Sequence, residues 1–156
     1  NAADLTYNQG GGGHTGFYNN KYIKSRAEML NGIPDNDLTS GVNYRVIRYA
    51  DILLMAAEAR NRSGDDATAL TYLNEVRARV SLSPKTLISN DLLYEDILTE
   101  RRSELSCEGH RFFDLVRTNK AADVINGFIA GKHELFPIPQ DEIDLAGGNW
   151  TQNPGY

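Results

Sequence analysis

Hydrophobic and polar positions fall into two regimes along the chain. Residues 1–43 show little periodicity, whereas from Asn43 onward apolar residues recur every three or four positions, the spacing of one helix face. Tyr44–Arg62 carries Val46, Ile47, Ala50, Leu53, Leu54 and Ala57 in that rhythm, and Ile52, Met55, Ala56 and Ala59 widen the face. A helix apolar over so broad an arc is packed on more than one side. Its polar stripe offers the pairs Arg48–Asp51 and Glu58–Arg62 at helical spacing. Gly64 suits the position just past a helix end, where a left-handed conformation is needed. Asp65 or Asp66 then caps a second helix, about Ala67–Val80, with Ala69, Tyr72, Leu73, Val76 and Val80 inward and Glu75 one turn before Arg79. So short a connection makes the two helices antiparallel neighbours, and Ala56, Ala57, Ala59 and Ala69 let them approach closely. The unit is an αα-hairpin of tetratricopeptide type.

A third helix, about Leu92–Cys107, is capped by Asn90 or Asp91 and ended by Gly109. Its apolar row is Tyr94, Ile97, Leu98 and Leu105, with Arg101 in the same row. A fourth starts at Arg111 or Phe112 and runs to about Ile125, where Asn126–Gly127 stops it. In the tail, Pro137 and Pro139 hold the residues before them extended, and Pro139 can open one helical turn. The tail is expected to be anchored by Phe136, Ile138, Ile143, Leu145 and Trp150. At the other end, the run Gly10–Gly13 and many Asn, Asp and Pro residues predict long loops, with one short strand at Phe17–Ile23. The expected fold class is all-α: tetratricopeptide-like helix hairpins with long irregular loops. It divides into a loop-rich segment, 1–43, and a helical region, 44–156.

Composition narrows the picture. The 156 residues suit one domain. Sixteen Lys and Arg against 21 Asp and Glu leave a formal charge of −5, which argues against nucleic acid as a partner. The longest apolar run, Ile52–Ala57, is far too short to span a bilayer. The single cysteine, Cys107, excludes an intrachain disulfide. Cys107 and His110 have C-x-x-H spacing, but zinc needs about four ligands and no second pair exists, so a buried thiol and a surface imidazole are expected. The start at Asn1, without Met, reads as the middle of something, and a piece of a longer protein is expected.

The densest ionisable cluster is Glu100, Arg101, Arg102, Glu104, Glu108, Arg111, Asp114 and Arg117. Glu100, Glu104 and Glu108 repeat every four residues and lie on one helix face, which suits paired carboxylates for acid–base work or a metal site. The interleaved arginines favour a structural ion-pair lattice instead, with Arg48 of the first helix joining it. Arg101, on an apolar row, must be partly buried and then needs a carboxylate partner. Near the glycine run, His14, Tyr18 and Asn19 combine an aromatic face with polar groups, a chemistry suited to sugar rings. Those three are the candidate ligand contacts. No phosphate loop, nucleophile elbow or zinc-protease motif is present, so neither a cofactor nor a metal is expected.

The run Val46-Ile47-Arg48-Tyr49-Ala50-Asp51-Ile52-Leu53-Leu54-Met55-Ala56-Ala57-Glu58-Ala59 resembles the R-Y-A-E-x-L-L-x-x-A-E-A helix of the SusD/RagB family. Leu73-Asn74-Glu75-Val76-Arg77-Ala78-Arg79 is similar to the family's L-N-x-V-R-x-R. Glu100-Arg101-Arg102-Ser103-Glu104-Leu105, followed by Glu108-Gly109-His110-Arg111-Phe112-Phe113-Asp114-Leu115-Val116-Arg117, resembles its E-R-x-x-E-L-x-x-E-G-x-R-x-x-D-L-x-R signature. Leu135–Pro139, Glu142-Ile143 and Gln152–Tyr156 are similar to its C-terminal segment. Asp51 stands where the family more usually has Glu. The resemblance is strong over 44–156, weak over 17–43, and matches only the last third of family members.

The resemblance implies a helical scaffold that captures glycans or other nutrient oligomers at the bacterial surface without catalysis. It implies partnership with a TonB-dependent β-barrel transporter of the outer membrane. Attachment to the membrane would be only through a lipid anchor outside this segment. Two competing readings are a tetratricopeptide-like scaffold that binds only protein and a glycosidase using Glu100 and Glu104.

Overall fold

The computed structural model describes Asn19, Lys21, Tyr22 and residues 43–156. The described residues are all-helical, with six helices and no strand: α1 (Tyr49–Arg62), α2 (Asp66–Arg79), α3 (Asn90–Glu104), α4 (Arg111–Arg117), α5 (Ala121–Val124) and α6 (Gln140–Leu145). The predicted strand at Phe17–Ile23 lies outside the described residues except at Asn19, Lys21 and Tyr22, none of which is in a strand. None of the helices is long and apolar enough to cross a membrane. The chain divides into two compact units, 1–101 and 102–156, with the division inside the last turn of α3.

In the first unit α1 and α2 form the expected hairpin. Gly64, at φ +87, closes α1: its N–H donates to the Asn61 carbonyl at 3.0 Å, and the Asp65 N–H donates to the Arg60 carbonyl at 2.9 Å. This paired closure gives two carbonyls of the helix end a backbone partner, and it requires a left-handed residue. Asp65 then caps α2 by accepting from the Thr68 N–H at 3.2 Å, and Thr68, through its side chain first and this N–H second, holds the Asp65 carboxyl below the usual range. Ala57 and Ala69 are wholly buried, and they form one core with Ala50, Leu53, Leu54, Leu73 and Val76. α3 adds Leu93 and Ile97 to this core.

α1 begins later than the periodicity predicts. Arg48 is extended, at φ −138 and ψ 161, and its carbonyl accepts the first helical bonds from Asp51 and Ile52. Val46 and Ile47 therefore lie before the helix and are 68% and 64% exposed, rather than on its inner stripe. α3 ends at Glu104 rather than Cys107. Cys107 takes a left-handed φ of 64 and is exposed, which corrects the expected buried thiol, while His110 is half-buried. Glu108 thus falls outside the helix that carries Glu100 and Glu104.

The expected fourth helix is two short ones. Asn119, at φ 57, closes α4: its N–H donates to Val116 at 3.0 Å, and the Lys120 N–H donates to Leu115 at 2.8 Å. This is the same closure as at Gly64, made by an asparagine, one of the few other residues that tolerate the left-handed region. The tail is held by amides more than by apolar anchors. Phe136, Leu145 and Trp150 are 70%, 82% and 53% exposed, and Ile138 and Ile143 are half-buried. The Gln152 carboxamide clamps Ile138 instead, accepting from its N–H and donating to its carbonyl, both at 2.8 Å. Asn153 Nδ2 donates to the Phe136 carbonyl at 2.7 Å, and the Tyr156 hydroxyl donates to Leu135 at 3.0 Å.

Within the ionisable cluster three ion pairs are placed. Arg101, 5% exposed, donates from Nη1 to Asp51 Oδ1 of α1 at 2.9 Å, so Asp51 faces Arg101 and not Arg48. Buried Glu100 is held by Arg77 of α2 at 2.6 Å. In the second unit Arg117 Nε donates to Asp114 at 2.8 Å. Glu104 is half-buried, Glu108 is buried and Arg111 is exposed. Beside these pairs, the Arg62 guanidinium lies 3.3 Å over the Tyr94 ring.

Three variants test this architecture by urea unfolding. Arg101→Ala leaves the Asp51 carboxylate buried and unpaired, and is expected to lower the urea unfolding free energy by roughly 3–5 kcal/mol. Replacing both partners with apolar residues, Asp51→Leu with Arg101→Met, is expected to recover most of that loss. Leu73→Ala, at a fully buried core position, is expected to cost about 2–5 kcal/mol in the same assay.

Candidate binding groove

Because the hairpin is antiparallel, the start of α1 lies beside the end of α2. A groove of about 350 Å³ opens there, lined by Arg48, Tyr49, Ala50, Leu53, Glu75, Val76 and Arg79. Ala50, Leu53 and Val76 belong to the core, so its floor is the apolar edge of the hairpin. The rim is polar. Glu75 and Arg79 stand one turn apart on α2, and Arg48 precedes α1.

Tyr49 is the exposed aromatic of this rim, at 68%. Its phenol lies within electrostatic reach of the Glu75 carboxylate. The negative charge of Glu75 raises the phenol above its usual range, since a phenolate there would face a second anion. Tyr49 therefore stays neutral, offering a ring face and a hydroxyl. In the same unit, exposed Tyr44 stacks on Tyr22, with centroids 5.4 Å apart and planes at 27°. Tyrosine faces beside charged hydrogen-bonding groups form a surface for a ligand with both apolar faces and hydroxyls.

Of the three predicted ligand contacts, His14 and Tyr18 lie outside the described residues. Asn19 is exposed, and its Oδ1 accepts from the Lys21 N–H at 3.0 Å. Tyr49 and Glu75 were not among the predicted contacts. Tyr49 lies in the apolar-periodic stretch and reads as part of the helix face. The usable signal was the placement of Glu75 and Arg79 on α2 near the α1 start, which follows once the hairpin is antiparallel. The paired-carboxylate reading places acid–base chemistry at Glu100 and Glu104, but Glu100 is buried and its Oε2 is taken by Arg77. Among the described residues no group of three or more His, Cys, Asp or Glu is placed to hold a metal. The second unit has a smaller cleft of about 90 Å³, lined by residues that include Asn119, Phe128 and Glu134.

Known proteins resemble this chain in sequence and fold. The model of the SusD family matches residues 2–134. SusD-like protein P2 of Formosa agariphila is 34% identical over 139 residues, which is 78% of this chain and 28% of that protein. Starch-binding protein SusD of Bacteroides thetaiotaomicron is 32% identical over 134 residues, 79% of this chain and 22% of that protein. The crystal structure of a SusD-like protein from Bacteroides fragilis superposes with a TM-score of 0.67 at 31% identity, covering 73% of this chain and 26% of that one. The chain thus spans about a quarter of the length of the curated relatives it matches. With the signature segments lying on α1, α2, α3 and α4 as they do, and the family model matching most of its length, the chain belongs to the SusD family.

Proposed function

We propose that the chain is part of a non-catalytic glycan-binding protein at the outer-membrane surface, which captures oligosaccharides and passes them to a TonB-dependent β-barrel transporter. The observation that carries this reading is the family match over residues 2–134, in a family with a relative named for starch binding. Membrane attachment in this reading is through a lipid anchor outside this segment. The geometry adds a place for contact. A groove of about 350 Å³ is within the usual range for small ligands. Its apolar floor and the Tyr49 ring take the flat face of a sugar, while Glu75, Arg48 and Arg79 address its hydroxyls.

Affinity electrophoresis against a panel of polysaccharides tests the proposal. Retardation by at least one glycan is expected. Tyr49→Ala, at an exposed position, is expected to weaken it on the order of tenfold, or about 1.4 kcal/mol, with unchanged unfolding. Retardation that survives Tyr49→Ala would move the contact away from this groove. No retardation by any glycan would favour a protein-binding scaffold. Release of reducing sugar would overturn the non-catalytic reading.

A further inference from the structure

The turn after α5 carries chemistry independent of glycan binding. We propose that the Asn126–Gly127 pair is a site of spontaneous covalent modification, at which the Asn126 side chain closes onto the Gly127 backbone nitrogen and its amide is lost as ammonia. Phe128 N–H donates to the Ile125 carbonyl at 3.1 Å, which puts Asn126 and Gly127 at the two central positions of a tight turn. Both are exposed, and Gly127 has φ +79. A Cβ at Gly127 would meet nothing within 4 Å, and the residue carries no side chain to hinder approach to its nitrogen. Among the described residues, neither the Gly127 N–H nor the Asn126 carboxamide is held by a hydrogen bond. A surface turn closed by one hydrogen bond opens at little cost, which lets the two groups meet.

Among the described residues, Asn61, Asn74, Asn119, Asn149 and Asn153 lack this combination. Asn61 and Asn74 sit in helices with their carboxamides bonded, Asn61 to Asp66 and Asn90, and Asn74 to the Lys85 backbone. Asn119 is followed by Lys120, whose N–H is engaged by Leu115 at 2.8 Å. Asn149 donates to the Ala146 carbonyl at 2.9 Å. Asn153 precedes Pro154, which has no N–H to lose.

The step balances with water alone. The Gly127 nitrogen, on losing its proton, forms a bond to Asn126 Cγ. The Cγ–Nδ2 bond breaks, and ammonia leaves with that proton. The resulting five-membered imide is then opened by one water. Attack at one carbonyl gives aspartate, and attack at the other gives isoaspartate, in which the main chain runs through the side chain. Each product adds a carboxylate to a chain already at −5. Isoaspartate also lengthens the turn that leads into Phe128, a residue lining the small cleft of the second unit.

The experiment incubates the full chain at neutral and at mildly alkaline pH and maps its tryptic peptides by mass, with isoaspartate methyltransferase labelling. Aspartate and isoaspartate are expected to accumulate in the Ala121–Lys132 peptide, faster at the higher pH and ahead of the peptides carrying Asn61, Asn74 and Asn149. Asn126→Gln, which cannot form the five-membered ring, is expected to abolish the signal in that peptide. The other Asn-Gly pair, Asn31–Gly32, lies on a different peptide and is scored separately. An Ala121–Lys132 peptide that stays unmodified, or gains no faster than the Asn149 peptide, would overturn the proposal.

Discussion

A guanidinium closed off from water must find a carboxylate, and that requirement ties α3 to α1. Arg101 sits in a row with Ile97 and Leu105, where a charge has no solvent to meet. Asp51 answers it from fifty residues away. Neither group can be buried alone, because desolvation of an isolated charge costs several kcal/mol even after relaxation. The pair thus acts less as a source of net stability than as a condition on geometry: α3 is admitted beside the hairpin only where the two heads meet. Arg77 and Glu100 repeat the condition between α2 and α3.

Two carboxamides and a carboxylate fix the same junction from the other end. Asn61, 1% exposed, donates to the Asn90 carbonyl and to Asp66, while Asn90 donates to the Asn61 carbonyl and to Asp66. One carboxylate and two carboxamides thereby join the end of α1 to the starts of α2 and α3. Between these ends, Asn74 holds the linker by bonding both the N–H and the carbonyl of Lys85, and Lys85 Nζ reaches Asp96 at 2.7 Å. The linker between α2 and α3 lacks regular structure, yet side chains of the flanking helices meet its backbone groups.

What could be read from the chain follows from which forces are local. The hairpin was legible because Gly64, Asp65 and the inward row Ala69, Leu73 and Val76 each act within a turn or two of helix. The start of α1 was not, since Val46 and Ile47 continue the apolar rhythm and only the extended backbone at Arg48 stops the helix. The break at Asn119 was missed because a left-handed asparagine leaves no composition signal as clear as glycine's. The burial of Arg101 was legible from its row, but its partner was not, since pairing across fifty residues depends on how helices pack. The apolar residues of the irregular tail also suggested anchors there, where Gln152 and Asn153 do the holding.

At the groove, frame and rim are separate sets of residues. Val76 faces the core at 2% exposure, while Glu75 and Arg79 on the same helix lie on the rim. Adjacent positions thus carry different duties: a change at Val76 opens a cavity, whereas a change at Glu75 alters only the charge and hydrogen bonding offered to a ligand. Tyr49 has a similar freedom at the first position of α1, where its ring is exposed while its neighbour Ala50 is buried. The rim's spacing is set by the hairpin's closed turn and alanine contacts, which do not involve rim side chains. Chemistry at this edge can therefore change while the frame, fixed by Asp51 with Arg101 and by Glu100 with Arg77, stays as it is.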